Sequence, residues 1–230
     1  MFEELKAQFV LNFITDDRWM SLLWGLFVTL KITFFAVILG FVLGFSVAIV
    51  RNVYENTKKL KILNFICNVY LTVIRGTPVV VQLLIIYFVI FSSIRIDKSI
   101  AAILAFGINS GAYQAEIFRS GINSIPKGQM EAGRSLGFSY AQTMVNIIMP
   151  QAIKNVLPTL GNEFIVLMKE TSVAGYIALE DLTKAGDVIR SRTYSAMMPF
   201  LAVALLYLIM VMFFTYLLKL FERRLAISGR

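Results

Sequence analysis

Histidine is absent from this sequence, and cysteine occurs once, at Cys67. The first absence removes the commonest metal ligand and the usual proton shuttle; the second excludes an intrachain disulfide. No zinc, haem or histidine-based chemistry is expected. Charge is scarce too, at 16% of 230 residues. No Gly-x-x-x-x-Gly-Lys-Ser/Thr phosphate loop occurs, so the chain has no such cradle for a nucleoside triphosphate. Serine, cysteine and acids are present without a recognisable pair of nucleophile and base, which argues against a membrane enzyme.

What fills the chain instead is apolar. Hydrophobic residues make up 58% of it, and the mean hydropathy is +0.74. That much apolar surface exceeds what one soluble core can bury, so the sequence predicts an all-α integral membrane protein. The net charge of +8 does not point to nucleic acid, because the basic residues are dispersed among loops, where membrane topology places them.

Residues 1–21 have Phe2, Leu5, Phe9 and Phe13 at helical spacing and predict a short helix lying on the membrane surface. The run Leu22 to Val50, with Lys31 its only charge, is too long for a signal-peptide core and predicts a retained first span. Gly40 and Gly44 in that span form a pair suited to close helix packing. Residues 51–61 are basic. The apolar run from Ile62 to Phe91 is broken at Arg75-Gly76-Thr77-Pro78, which predicts an interfacial elbow helix and then a second span from about Pro78 to Phe91. Arg75 reads equally as a snorkelling anchor near the inner headgroups and as a functional group.

The third span starts near Ser99 and carries Asn109, Tyr113, Glu116 and Ser120 in one stripe, with Gly107 and Gly111 roughly opposite. Glu116 is expected to pair with Arg119, three residues on, as a structural ion pair. A fourth span, Val156 to Ile177, is unusually polar. From a helix start near residue 155, Glu163 lies roughly 12 Å along the axis and approaches mid-membrane depth. An acid there costs about 2.5 to 3.5 kcal/mol to insert. Thr159, Glu163 and Glu170 share a face while Lys169 points elsewhere, so Glu163 is the candidate for solute contact. Asn162, at the edge of that face, with Tyr113 and Asn109 from the third span, completes the candidate binding site.

Residues 178–198 read as a solvated connection, 200–221 as the fifth span, and 222–230 as a tail. With the N-terminus outside, inner segments hold twelve basic residues and outer ones seven, so the positive-inside rule predicts N-out and C-in. The polar stretch from Glu131 to Pro150 then lies in the cytoplasm. It predicts a short helix after Pro126, ended by a left-handed Gly137, and a second helix started by a Ser139/Gln142 capping box and closed near Pro150.

Glu131-Ala132-Gly133, then Gly137, Ile147 and Met149-Pro150, resembles the EAA loop of ABC-importer permeases, with Gly and Met in place of the usual third Ala and the Leu. The stretches 111–129, 75–82 and 169–177 resemble the polar amino acid branch of that family. The resemblance covers about four fifths of the chain. It implies a five-transmembrane-helix type I ABC importer permease in the bacterial plasma membrane, surrounded by lipid. Its partners would be a second permease subunit, expected as a homodimer, two ABC ATPase subunits and an extracytoplasmic solute-binding protein. ATP and Mg would be bound by the ATPase, with no cofactor on this chain. Glu131, Ala132, Gly133, Arg134, Ser135, Leu136 and Gly137 would dock on that ATPase. The family branch implies a polar amino acid; the carboxylate at Glu163 favours a basic one, arginine, lysine or histidine. The alternative is an ion- or proton-coupled secondary amino acid transporter, which would use the intramembrane acids without needing a docking element.

Overall fold

The computed structural model describes residues 2–227, and every regular element among them is helical. The chain opens with α1 (Phe2–Phe9), continued by a π-helical turn, Val10–Ile14. Asp16 and Asp17 then take left-handed backbone angles and break the helix. The Arg18 guanidinium ties this corner down, donating to the Leu11 carbonyl at 2.6 Å and to the Asp16 carboxylate at 2.8 Å. The first span, α2 (Arg18–Thr57), begins four residues before the expected Leu22 and runs seven past Val50. Its 40 residues extend about 60 Å, so it projects beyond a hydrocarbon core of about 30 Å.

Helix α2 packs most extensively on α5 (Lys98–Asn123), the central helix of the fold. The buried face of α5 is built from small residues, including Ala101, Ala105, Gly107, Gly111, Ala112 and Ala115. Such a helix is enclosed by protein rather than lipid, which is why it need not be as apolar as α2 or α10 (Met197–Ile227). A Cβ on Gly40 would come within 3.1 Å of the Gly111 nitrogen, and one on Gly44 within 2.8 Å of the Gly111 carbonyl oxygen. The paired glycines of α2 therefore serve close approach.

The expected second span is a bent pair. Helix α3 (Lys61–Gly76) meets α4 (Val79–Ile85) and its π-helical extension to Ile90 at 110°. Thr77 is extended ahead of Pro78, as the proline ring requires. The carbonyls left open at this break are closed by Gln82, whose Nε2 donates to Ile74 O at 2.7 Å and Thr77 O at 3.0 Å. Residues 79–90 cover only about 18 Å, too short to cross alone. Helix α3 packs on α2 and α5 through one face, where Asn64, Cys67 and Leu71 are buried.

Pro150 does not close a helix. After α6 (Lys127–Ser135) and the turn at Gly137, α7 (Tyr140–Thr143) passes through a π-helical turn, Met144–Ile148, into α8 (Met149–Glu170). Pro150 sits in the first turn of α8, and Pro158 lies inside that helix. The fourth span thus starts earlier than Val156 and ends at Glu170; Thr171–Ile177 is a 3-10 segment turned by a left-handed Ala178.

The connection after it is less solvated than its charges imply. Asp181 caps α9 (Leu182–Thr193), whose Leu182, Ala185, Gly186 and Ile189 are buried against α2 and α10. The Leu182 amide donates to Thr29 Oγ1 at 3.1 Å, and the 0% exposure of Asp181 marks how tightly the cap is enclosed. The apolar positions recur at helical spacing among Lys184, Asp187, Arg190 and Arg192, so charge density hid an amphipathic helix. Of the expected tail, residues to Ile227 continue α10 and the remainder lies outside the described residues.

Candidate functional site

A cavity of about 610 Å³ opens between α5 and α8. Its polar lining comes from Tyr113, Glu116, Ser120 and Ser124 on one side and Asn155, Thr159 and Glu163 on the other. The last three are spaced by four, so a single face of α8 supplies them despite Pro158. Glu163 Oε1 accepts a hydrogen bond from Ser110 Oγ at 3.0 Å, and Glu163 makes no ion pair among the described residues. A carboxylate without a cation, in a cavity lined by a phenol, an amide and hydroxyls, is chemically suited to a positively charged or amine-bearing solute.

Four residues were expected to form this site, and the structure brings two of them together. Glu163 and Tyr113 line the cavity. Asn162 is exposed and outside it. Asn109 is buried, and its Nδ2 donates to Gln82 Oε1 at 3.0 Å. Spacing placed Asn109 in the stripe, but α4 crosses α5 at that level and engages its amide. Asn155 was legible one turn before Thr159 on the Glu163 face. Ser110 had no sequence signal of its own, because its contact is with a residue 53 positions away.

Glu116 faces the cavity from the centre of a cationic cluster. Arg119 Nε lies 3.0 Å from Glu116 Oε2, the pairing expected from their spacing. Arg51 of α2 bonds Glu116 Oε1, and Arg75 Nη1 is 3.8 Å from that oxygen. The Arg75 guanidinium carbon also sits 5.7 Å from the centre of the Tyr113 ring. Arg75 is therefore engaged by protein, and Glu116 ties together α2, the α3 bend and α5.

The element from α6 to α7 is organised by its own backbone. Gly137 has φ +88°, the Phe138 amide donates to Gly133 O and the Gly137 amide to Arg134 O, both at 3.1 Å. These two bonds form a Schellman end, for which glycine is the favoured residue. The Ser139/Gln142 capping box is complete, and the next helix starts there. Gly133 is buried against α7: a Cβ there would lie 2.5 Å from Thr143 Cγ2. Glu131, Ala132, Arg134, Ser135, Leu136 and Gly137 are exposed, Leu136 at 78%. Neither Glu131 nor Arg134 forms an ion pair among the described residues. Tyr140 Oη donates to Asn52 Oδ1 at 2.6 Å, joining the element to the C-terminal end of α2.

Comparison with known proteins places these features in a wider group. The family described as binding-protein-dependent transport system inner membrane component matches residues 36–227. The putative glutamine transport system permease protein of Rickettsia typhi is 38% identical over 206 residues, 89% of this chain and 92% of that protein. The glutamine transport system permease protein of Escherichia coli is 39% identical over 200 residues, 86% and 91% of the two chains. The arginine transport system permease protein of Bacillus subtilis is 36% identical over 203 residues, 87% and 90%. Among solved structures, a crystal structure of an amino acid ABC transporter with histidines superposes with a TM-score of 0.84 at 42% identity, covering 92% of this chain and 98% of that one. The inward-facing methionine ABC transporter matches at TM-score 0.76 and 21% identity, covering 89% and 95%, a likeness of fold.

Proposed function

Because the chain belongs to the family of binding-protein-dependent transport system inner membrane components, we propose that it is the membrane-spanning subunit of an ATP-driven importer that moves polar amino acids, basic ones by preference. As a permease it is not itself an enzyme. Family membership also removes the ground for the secondary-transporter alternative, since a binding-protein-dependent system calls for the docking element that such a transporter would lack.

The solute assignment rests on one observation above the others: Glu163 lies in the cavity between α5 and α8 without a cationic partner among the described residues. A solute ammonium or guanidinium supplies that partner, and Tyr113, Thr159 and Asn155 offer it neutral hydrogen-bonding surface. Relatives named for glutamine and for arginine transport support a polar amino acid, and the second of them supports a basic one. Asn162 and Asn109 take no part in this cavity and are left out of the solute site.

ATP and Mg belong to separate ATPase subunits, consistent with the missing phosphate loop. Exposed α6, with Glu131, Arg134 and Leu136 unengaged, docks in the ATPase, and its movement shifts the permease between inward-open and outward-open states. The Schellman end at Gly137 transmits that movement into α7 and α8. Two copies of this chain form the permease pair, with the N-terminus outside and the C-terminus in the cytoplasm, as the basic-residue balance favours.

The complex reconstituted with its ATPase and binding protein tests this reading. Arginine, lysine or histidine should stimulate ATP hydrolysis and enter the vesicles, while Gly137→Asp folds but uncouples hydrolysis from solute. Glu163→Gln should weaken the preference for basic solutes. Unchanged preference would remove Glu163 from the mechanism, and normal coupling in the Gly137 variant would remove the hinge.

A further inference from the structure

We propose that Ser110 and Gln114 are positioning residues that aim the Glu163 carboxylate into the cavity, and that Gly40 and Gly44 of α2 leave the space in which Gln114 is seated. This rests on the reading of Glu163 as the group that selects the solute. Both positioning side chains are enclosed, Ser110 at 0% and Gln114 at 1% exposure. Gln114 Nε2 lies 3.3 Å from the Val37 carbonyl oxygen and 3.0 Å from Ser110 Oγ. A carbonyl oxygen only accepts, so the amide nitrogen must face Val37, and that fixes which way the amide is turned. Ser110 Oγ consequently accepts from Gln114, and its single hydrogen is free for Glu163 Oε1 at 3.0 Å.

The Gln114 amide nitrogen thus donates both ways, to the Val37 carbonyl of α2 and to Ser110 beside it on α5, and Ser110 donates its own hydrogen to Glu163 on α8. The series ends on a carboxylate oxygen at the cavity wall. Holding Oε1 restricts the plane of the carboxylate, so the other oxygen is presented to the cavity in a narrow range of directions. Preorganisation of this kind lowers the cost of ordering the site when solute arrives.

Two further observations set this apart from ordinary packing. Gln114 Oε1 is buried without a hydrogen-bond partner, and an apolar side chain in its place would avoid that cost. The α2 glycines are fitted to Gln114 as well as to the α5 backbone: a Cβ on Gly40 would lie 2.7 Å from Gln114 Nε2, and one on Gly44 2.8 Å from Gln114 Cβ. Helix packing alone explains the backbone contacts; seating the amide explains why the closest approach of Gly40 is to a side-chain nitrogen.

The test is equilibrium binding of L-arginine and L-glutamine to the purified permease–ATPase complex without binding protein, so that selectivity belongs to the membrane site. Glu163→Gln should weaken arginine about tenfold and change glutamine by no more than about twofold. Ser110→Ala and Gln114→Leu should each weaken arginine about three- to tenfold, and Ser110→Thr, which keeps the hydroxyl, should restore it. Adding Ser110→Ala to Glu163→Gln should bring no further loss, because the donor acts only through that carboxylate. Gly40→Ala, remote from the cavity, should weaken arginine in the same direction as Gln114→Leu. If Ser110→Ala does not assemble, Ser110→Cys keeps a similar shape with a weaker donor and should give a smaller loss of the same kind. A normal arginine affinity in the Ser110 and Gln114 variants, beside a weakened Glu163→Gln, overturns the positioning role and leaves Glu163 in place. Losses that add in the double variant overturn it too. An unchanged Glu163→Gln overturns the selectivity reading itself, and with it this inference.

Discussion

Glu131, Arg134 and Leu136 stand on one nine-residue helix and its cap, exposed and unengaged, whereas Glu163, Ser110 and Gln114 meet from two helices, the last two buried and Glu163 half-buried at the cavity wall. The first region takes its shape from local backbone rules, a Schellman end followed by a capping box. The second takes its shape from close approach of α2, α5 and α8. A surface made to meet a separate protein can be locally encoded, because its partner supplies the missing contacts. A cavity inside the membrane must satisfy its own polar groups, and those partners come from wherever the fold brings them.

The two regions should separate most sharply at Gly137. A β-branched residue at φ +88° is strained by about 1–2 kcal/mol, so Gly137→Val should misdirect α6 and abolish solute-stimulated ATP hydrolysis while solute binding in the membrane survives. Loss of both together would show that the two regions are not separable. Next in size, Glu116→Gln leaves Arg51, Arg75 and Arg119 around a neutral side chain and should lower stability by about 2 kcal/mol, read as a reduced unfolding temperature in detergent. An unchanged temperature would show that the cluster contributes no net stability.

A smaller effect is expected at the contact between α6 and α7. Gly133→Ala pushes a methyl to 2.5 Å from Thr143 Cγ2 and should cost about 1–2 kcal/mol, relieved when Thr143→Ala is added. Additive losses would mean that the element yields elsewhere.

Asp181, in the connection between the fourth and fifth spans, should show its effect in the pH dependence of stability. Burial pushes its carboxyl up to about 6, against the pull of the Thr183 and Lys184 amides. The folded chain then holds this proton more tightly than the unfolded one, so stability falls as pH rises from 4 towards 7. Asp181→Asn should flatten that slope, measured as unfolding temperature against pH; an unaltered slope would assign it to another group.

Much of this architecture can be read from the chain. The glycine at 137, the Ser139/Gln142 box, the Gly40/Gly44 contact and the break before Pro78 all follow from short-range rules, and the structure shows each of them. The misplacements share a cause. Asn109 was grouped with Tyr113 by helical spacing, yet α4 bonds it to Gln82; residues 182–193 were read as solvated from their charges, yet Asp181 turns them back onto α2 and α10. Pro150 was read as a helix end, but the chain stays helical through it, with a π-helical turn, Met144–Ile148, directly ahead of the proline.

Hydropathy, turn chemistry and charge act over a few residues, so the chain alone reveals that it belongs in a membrane, where the glycine hinge lies and that the fourth helical run carries an acid. The hydrogen-bond partner of that acid comes from another helix. Ser110 reaches Glu163 and Arg51 reaches Glu116 across 53 and 65 positions, because helix crossings, rather than spacing along any one helix, choose the partners of a buried charge.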